Sequence, residues 1–243
     1  MDPIVVATVA SIALLASAAS WYLSARQRAW RAMRRLRVRA IAEAKTGEHV
    51  RLVGVAMVPE PVAAPLTGRP CAVWRVLVED DRRRVLVDET WAVDFFLADG
   101  TGKALVRTDH LRAILVEDGL GSSGLFKEAT PELRAFLEAR GISSKATFVG
   151  DRALSFYEGV VEPGEKVAVT GVGHWERDPE EAAQARPAYR DVDIPQRLVL
   201  DAPPDGPLLV SDEPALVRRG PRSAAVSSAS SGRSRGRPGG GAP

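Results

Sequence analysis

Gly47-Glu48-His49-Val50-Arg51-Leu52-Val53-Gly54-Val55 opens on a turn dipeptide and then alternates polar and apolar residues, the period-two pattern of a half-buried strand. The pattern returns at Gly164-Glu165-Lys166-Val167-Ala168-Val169-Thr170-Gly171-Val172, so both stretches read G-E-x-V-x-(L/V)-x-G-V. Nine residues are too few to establish a duplication. Their physical content is that each Gly-Glu turns the chain into a strand and the later glycine permits a bend or bulge, a device of small barrels. The pair predicts a mostly β (α+β) body, a barrel or sandwich with one or two short helices.

The sequence between the two echoes agrees with that reading. Pro59, Pro61, Pro65 and Pro70, with Gly68, mark an extended loop that ends at Cys71. From Ala72 to Val78 and from Val85 to Leu97 the chain reads as two strands around the charged run Glu79-Asp80-Asp81-Arg82-Arg83-Arg84, a hairpin tip. Val85, Val87, Trp91, Val93, Phe95 and Leu97 share one parity, which predicts a single strand with that face in the core. Asp99-Gly100-Thr101-Gly102 is turn chemistry, and short apolar runs follow at Ala104-Leu105-Val106 and Ile114-Leu115-Val116. Thr130 as cap, Pro131, the stripe Leu133, Phe136 and Leu137, and Gly141 as stop predict one helix. The closing strands fall at residues 197–200 and 208–210, after a charged loop between Glu176 and Pro195.

Forty-five per cent hydrophobic residues suffice for a globular core, and the formal charge of +2 is a cancellation. Seven arginines without an acid stand at Arg26, Arg28, Arg31, Arg34, Arg35, Arg37 and Arg39; residues 42–217 carry a net −10, and six more arginines lie in a Ser/Gly/Arg/Pro tail. Before the first arginine run, the 20 residues from Ile4 to Leu23 are uncharged, and as a helix they would span roughly 30 Å, a bilayer core. Trp21 and Tyr22 sit where an interfacial belt belongs, and no basic residue precedes the run as a secretory signal requires. The expectation is a single N-terminal transmembrane helix (1–25), a basic juxtamembrane helix against anionic lipid (26–46), a β-rich domain (47–212) and a disordered tail (213–243). The arginines would hold the domain on the cytoplasmic side, at the plasma membrane in a prokaryote. Ala13 and Ser17, like Ala16 and Ser20, are small residues four apart through which two anchors could dimerise.

Four stretches together resemble the GIDE, or BAM (beside-a-membrane), domain of membrane-anchored RING ubiquitin ligases of organelles and their prokaryotic relatives. They are Pro65-Leu66-Thr67-Gly68-Arg69-Pro70-Cys71, then Phe96-Leu97-Ala98-Asp99-Gly100-Thr101-Gly102, then Tyr157-Glu158 leading into the second echo, and Pro207-Leu208-Leu209-Val210-Ser211. The family-motif positions are Pro65, Leu66, Gly68, Cys71, Asp99, Gly102, Glu158, Gly164, Val167 and Gly171. The resemblance implies a β-rich module beside a membrane that recognises a substrate or partner protein. Two departures limit it. The chain has no second apolar span after the domain, and one Cys with three His cannot supply the eight or so zinc ligands of a RING finger.

Catalytic patterns are weak. Gly119-Leu120-Gly121-Ser122-Ser123-Gly124 matches a phosphate-binding G-x-G-x-x-G, but it stands among strands beside Asp118, so a flexible glycine loop is the better reading. Gly232-Arg233-Ser234-Arg235-Gly236 lies in a tail that cannot build a nucleophile elbow. Cys71 reads as a packed thiol, Asp109-His110 as a turn, and Trp74, Trp91, Phe95 and Phe96 as core before ligand groove. The expectation is a membrane protein that presents a partner-binding module, with no catalysis, cofactor or metal of its own and no nucleic-acid partner. The alternatives are a component of a ubiquitin-transferase system using another chain's RING finger, and a membrane-stress scaffold.

Overall fold

The computed structural model describes residues 26–80, 82–122, 131–141, 154–179 and 195–218. Five strands close into a barrel: β2 (His49–Met57), β7 (Phe95–Ala98), β8 (Lys103–Val106), β13 (Gln196–Asp201) and β12 (Lys166–Arg177), which returns to β2. Only β8 and β13 run parallel within this ring. In barrel order the strands are first, second, third, fifth and fourth, the Greek-key connectivity of an OB-type barrel.

Two insertions depart from this barrel. The first, between β2 and β7, carries β3 (Val62–Ala63), β4 (Pro70–Cys71), β5 (Val73–Glu79) and β6 (Val85–Ala92). The second, between β8 and β12, carries β9 (Leu111–Ile114), β10 (Asp118–Ser122), the helix α2 (Pro131–Glu138) and β11 (Ser155–Val161). The insertions pair with each other as one four-stranded sheet, β10-β11-β5-β6, while β3 and β4 form a small ribbon. Outside the barrel, β14 (Leu208–Ser211) joins β12 to β9, and β1 (Val38–Arg39) lies parallel to β2.

The two echo strands are each other's partners, antiparallel and centred on Leu52 opposite Val169. Gly54 stands opposite Val167 and Gly171 opposite Val50, so equivalent positions exchange places across the pair. The turns repeat as well. Gly47 and Gly164 both take a left-handed φ, +82° and +85°. The Gly47 N–H donates to Gly173 O and that of Gly164 to Ala56 O, both at 2.8 Å. Glu48 accepts from the Lys45 N–H at 3.3 Å, and Glu165 from the Glu162 N–H at 2.9 Å. The Gly-Glu dipeptide thus pairs a left-handed turn residue with a carboxylate that closes the turn.

Three apolar clusters hold these parts. Leu52, Phe95, Leu97, Val167, Val169, Leu198 and Leu200 fill the barrel. Trp74, Val76, Val78, Phe136, Leu137 and Phe156 join the four-stranded sheet to α2. The third cluster lies on the barrel's outer wall, where Ala29 and Met33 of α1 (residues 26–35) and Leu216 of α3 (Pro214–Val217) cover Val53, Ala168 and Leu209. Arg51 caps the end of α1 by donating to Met33 O at 3.0 Å.

The structure corrects five expectations. A fold led by a single transmembrane helix is not supported: among the described residues no helix is long and apolar enough to cross a membrane, and the expected span at residues 4–23 lies outside them. The expected strand from Val85 to Leu97 is two strands in two sheets, with a corner at Val93-Asp94 where Asp94 accepts from the Thr108 N–H at 2.8 Å. One parity therefore serves two environments: Phe95 and Leu97 are in the barrel core, while Trp91 is 56% exposed. Within the glycine run, Gly119 to Ser122 belong to strand β10 instead of a loop, with a register shift between Gly119 and Gly121, while Ser123 and Gly124 lie outside the described residues. The juxtamembrane helix expected over 26–46 stops at residue 35, because Val38 and Arg39 pair with β2 and Ile41–Glu43 forms a 3-10 turn. Of the tail expected to be disordered over 213–243, Pro214–Val217 is instead helix α3 with Leu216 fully buried, and residues 219–243 lie outside those described.

Candidate functional site

Glu158, in the middle of β11, is fully buried, and its carboxylate faces the turn between β3 and β4. One oxygen accepts the Leu66 N–H at 2.8 Å; the other accepts the Thr67 N–H at 3.2 Å and the Thr67 hydroxyl. Pro65 fixes φ at the start of this turn, and Gly68 takes φ +69°, which a side chain rarely adopts. The turn in turn presents Arg69, which pairs with Glu162 at 3.2 Å. A buried carboxylate thus holds a loop whose next residue reaches the surface.

Arg69 borders a cleft of about 610 Å³, walled by segments distant in sequence: Val116 before β10, Glu162, Gly164 and Glu165 of the β11–β12 turn, and Asp212 after β14. Val116 is 44% exposed there, and its N–H donates to Asp212 Oδ1 at 2.8 Å. The Asp212 carboxyl is pushed up to about 6 chiefly by burial; the Val116 N–H opposes the rise, and the neighbouring Glu165 and Glu213 charges add to it. Val55 and Met57, 41% and 47% exposed, lie beside the same turn, since Val55 pairs with Lys166 and Ala56 O accepts the Gly164 N–H. The cleft brings apolar Val116, Val160, Pro163 and Pro214 together with the carboxylates of Glu162, Glu165 and Asp212.

The raised Asp212 carboxyl has a consequence for stability. Its native value lies above the ordinary 3.8, so the native chain holds this proton more tightly; the contribution is full below about pH 4 and is lost as pH rises through 6. Asp212→Asn keeps an acceptor for Val116 without the charge. The variant is expected to melt a few degrees above the wild type at pH 8, about 1 kcal/mol once solvent screening is discounted, with the difference vanishing near pH 4. Thermal melts across that range check it; equal melting points at pH 8 would sink the assignment.

Of the other family-motif positions, Cys71 sits beneath Glu158. Its thiol is pushed up to about 11, first by burial and then by the Glu158 charge, and it donates to Val62 O at 3.4 Å. A protonated, enclosed thiol is not a nucleophile. Asp99 and Gly102 serve elsewhere: Asp99 accepts the Ile41 N–H at 2.8 Å, and Gly102 leaves room for the Ile41 side chain, whose Cγ2 would stand 3.1 Å from an added Cβ. Val167 is barrel core, and Gly171 lets Asp201 O approach closely. The motif therefore divides, with Pro65, Leu66, Gly68, Cys71 and Glu158 gathered at one place, Gly164 in the cleft wall, and the rest in the barrel.

The seven arginines divide too. Arg26 pairs with Glu117 at 3.2 Å and donates to Leu115 O at 2.8 Å, while Arg39 pairs with Glu48 at 3.1 Å. Arg28, Arg31, Arg34, Arg35 and Arg37 are exposed. The four aromatics considered for a groove do not share one: Phe95 is barrel core, Phe96 lies outside the barrel under Lys103 Nζ at 4.3 Å, and Trp74 faces Trp91 in the other sheet. Asp109 and His110 form an exposed turn.

One cluster had no sequence signal. His174 Nδ1 lies 3.0 Å from Asp201, while Glu176 takes Arg197 at 2.7 Å and Arg107 at 3.2 Å. The Arg197 hydrogen bond, opposed by burial and aided by the Arg107 and His174 charges, holds Glu176 below the usual carboxylate range. These pairs tie β12 to β13 and to the residue after β8. They became visible only through the β12–β13 register, as did the cleft residues through the pairing of the insertions.

Compared with protein-family models, curated proteins and solved structures, the chain matches none.

Proposed function

We propose that this chain is a GIDE-like, non-catalytic module that recognises a partner or substrate protein through the cleft between its two insertions. The observation that carries the reading is the concave, half-apolar surface at Val116, bordered by Arg69, Glu162 and Asp212, with exposed Val55 and Met57 beside it. Apolar area ringed by charge is the composition of a protein-binding patch. Buried Glu158 supports it by fixing one wall in advance, which lowers the ordering cost of association. The enclosed Cys71 thiol favours binding over covalent chemistry at this place.

The test begins with a photo-crosslinking residue at Val116 in the full chain, with Asp205 in a distant exposed turn as the control position. The captured protein, purified, is then titrated against wild type and Val116→Arg. The arginine projects into the cleft without removing core, so a tenfold or greater loss of affinity is expected with an unchanged melting temperature. Equal capture from Asp205, or equal affinity of the variant, would defeat the proposal.

A further inference from the structure

The arginine face of α1 is built differently from an ordinary amphipathic helix that adsorbs to lipid. Such a helix sinks its apolar side into the acyl boundary. Here that side is occupied: Ala29 and Met33 are buried against Val53, Ala168, Leu209 and Leu216, with Trp30 partly buried beside them. Arg51 on Met33 O and Arg26 on Leu115 O and Glu117 hold the two ends of the described helix, so it cannot roll. Arg28, Arg31 and Arg35, spaced i, i+3 and i+7, fall on the side opposite Ala29 and Met33. Arg34 flanks them, its guanidinium 5.1 Å from the Trp30 ring centre, and Arg37 follows the helix. The five are exposed, and no acidic residue lies between positions 26 and 39.

We infer that this face binds the anionic surface of a lipid bilayer by electrostatic adsorption without insertion. A plane suits a single fixed face whose helical arginines, Arg28 to Arg35, span about 10 Å. A nucleic acid suits it less. Stacking with single strands requires an open aromatic face, and Trp30 is partly buried with Arg34 over its ring. The net −10 of residues 42–217 would also repel a polyanion that extended past the helix. Adsorption leaves the cleft near the lipid plane, because Val116 of the cleft wall adjoins the Leu115 carbonyl that Arg26 grips.

The mechanism sets the test apart from insertion. Full-length chain is floated with phosphatidylcholine vesicles with and without phosphatidylglycerol, as wild type, as Arg28→Gln/Arg31→Gln/Arg35→Gln and as Arg28→Lys/Arg31→Lys/Arg35→Lys. Each arginine near an anionic surface contributes roughly fivefold in affinity, so the Gln variant is expected to bind anionic vesicles about 100-fold more weakly. The Lys variant is expected to match wild type, since charge and not guanidinium geometry is at work. Molar salt should remove the wild-type advantage. Any apolar contribution from the rest of the chain is common to all three and appears on the zwitterionic vesicles. Melting temperatures should agree, because the substituted side chains are exposed. The inference is overturned if the Gln variant equals wild type on anionic vesicles, if the Lys variant fails as badly, or if RNA or duplex DNA competes at equal affinity through the same arginines.

Discussion

Glu158→Ala is expected to cost roughly 3–5 kcal/mol of stability and to release the turn at residues 64–69 from the four-stranded sheet. The carboxylate is fully buried and accepts three hydrogen bonds from Leu66 and Thr67. Its removal leaves two backbone donors and a hydroxyl without an acceptor where water cannot easily replace it, beside a cavity the size of the lost side chain. Arg69 would lose its anchored neighbour, since its Nε donates to the Thr67 hydroxyl at 3.2 Å. Glu158→Gln keeps the volume and one acceptor, so it should cost less than half as much. Urea unfolding gives the stability, and hydrogen exchange at the Leu66 and Thr67 amides localises the loss. A penalty under about 1 kcal/mol for the alanine variant would mean that the carboxylate does not organise the cleft wall.

Gly54→Val should be comparably severe for a steric reason. An added Cβ at Gly54 would overlap the carbonyl oxygen of Ala98 and lie 2.8 Å from its carbonyl carbon, both backbone atoms of the adjacent barrel strand. A side chain can swing aside, but a paired strand cannot without opening the β2–β7 contact. A loss of about 3–5 kcal/mol is expected, with Gly171→Ala less severe in the same sense, because its Cβ would meet Asp201 O at 2.6 Å. Gly206→Ala is the control: nothing lies within 4 Å of its Cβ position, and its melting temperature should be close to wild type. If all three variants melted together, the close approach would have no bearing on barrel closure.

What could be read from the chain followed the distance over which each signal acts. Residues 47–55 and 164–172 showed their strand character locally, and their shared glycines pointed to close backbone contact, which Gly54 and Gly171 make. The hairpin at 79–84 and the helix at Pro131–Glu138 were likewise written in adjacent residues. The corner at Val93-Asp94 was not, because alternation continues across it while the supporting sheet changes. Nor was the docking of α1, whose described contact with the barrel rests chiefly on Ala29, Met33 and Trp30 amid arginines, against a wall assembled from Val53, Ile114, Ala168, Leu209 and Leu216. Glu158 stood out only through the family resemblance; Tyr157-Glu158-Gly159 does not show that its carboxylate is enclosed. Asp212 and Val116 carried no signal, since the cleft exists only once both insertions have paired.

The symmetric pairing of β2 with β12 also dictates an order of events. Their central residues, Leu52 and Val169, are separated by more than a hundred residues, so β2 leaves the ribosome long before its main partner exists. Until residues 166–172 are made, β2 has only the short β1 and β7 beside it, and the apolar row Val50, Leu52 and Ala56 lacks the other wall of its core. The barrel must then form late, around an already synthesised pair of insertions, with the slow kinetics of contacts remote in sequence. The interval between the first echo and the second is therefore the period in which the edge of β2 stands open to aggregation on the newborn chain.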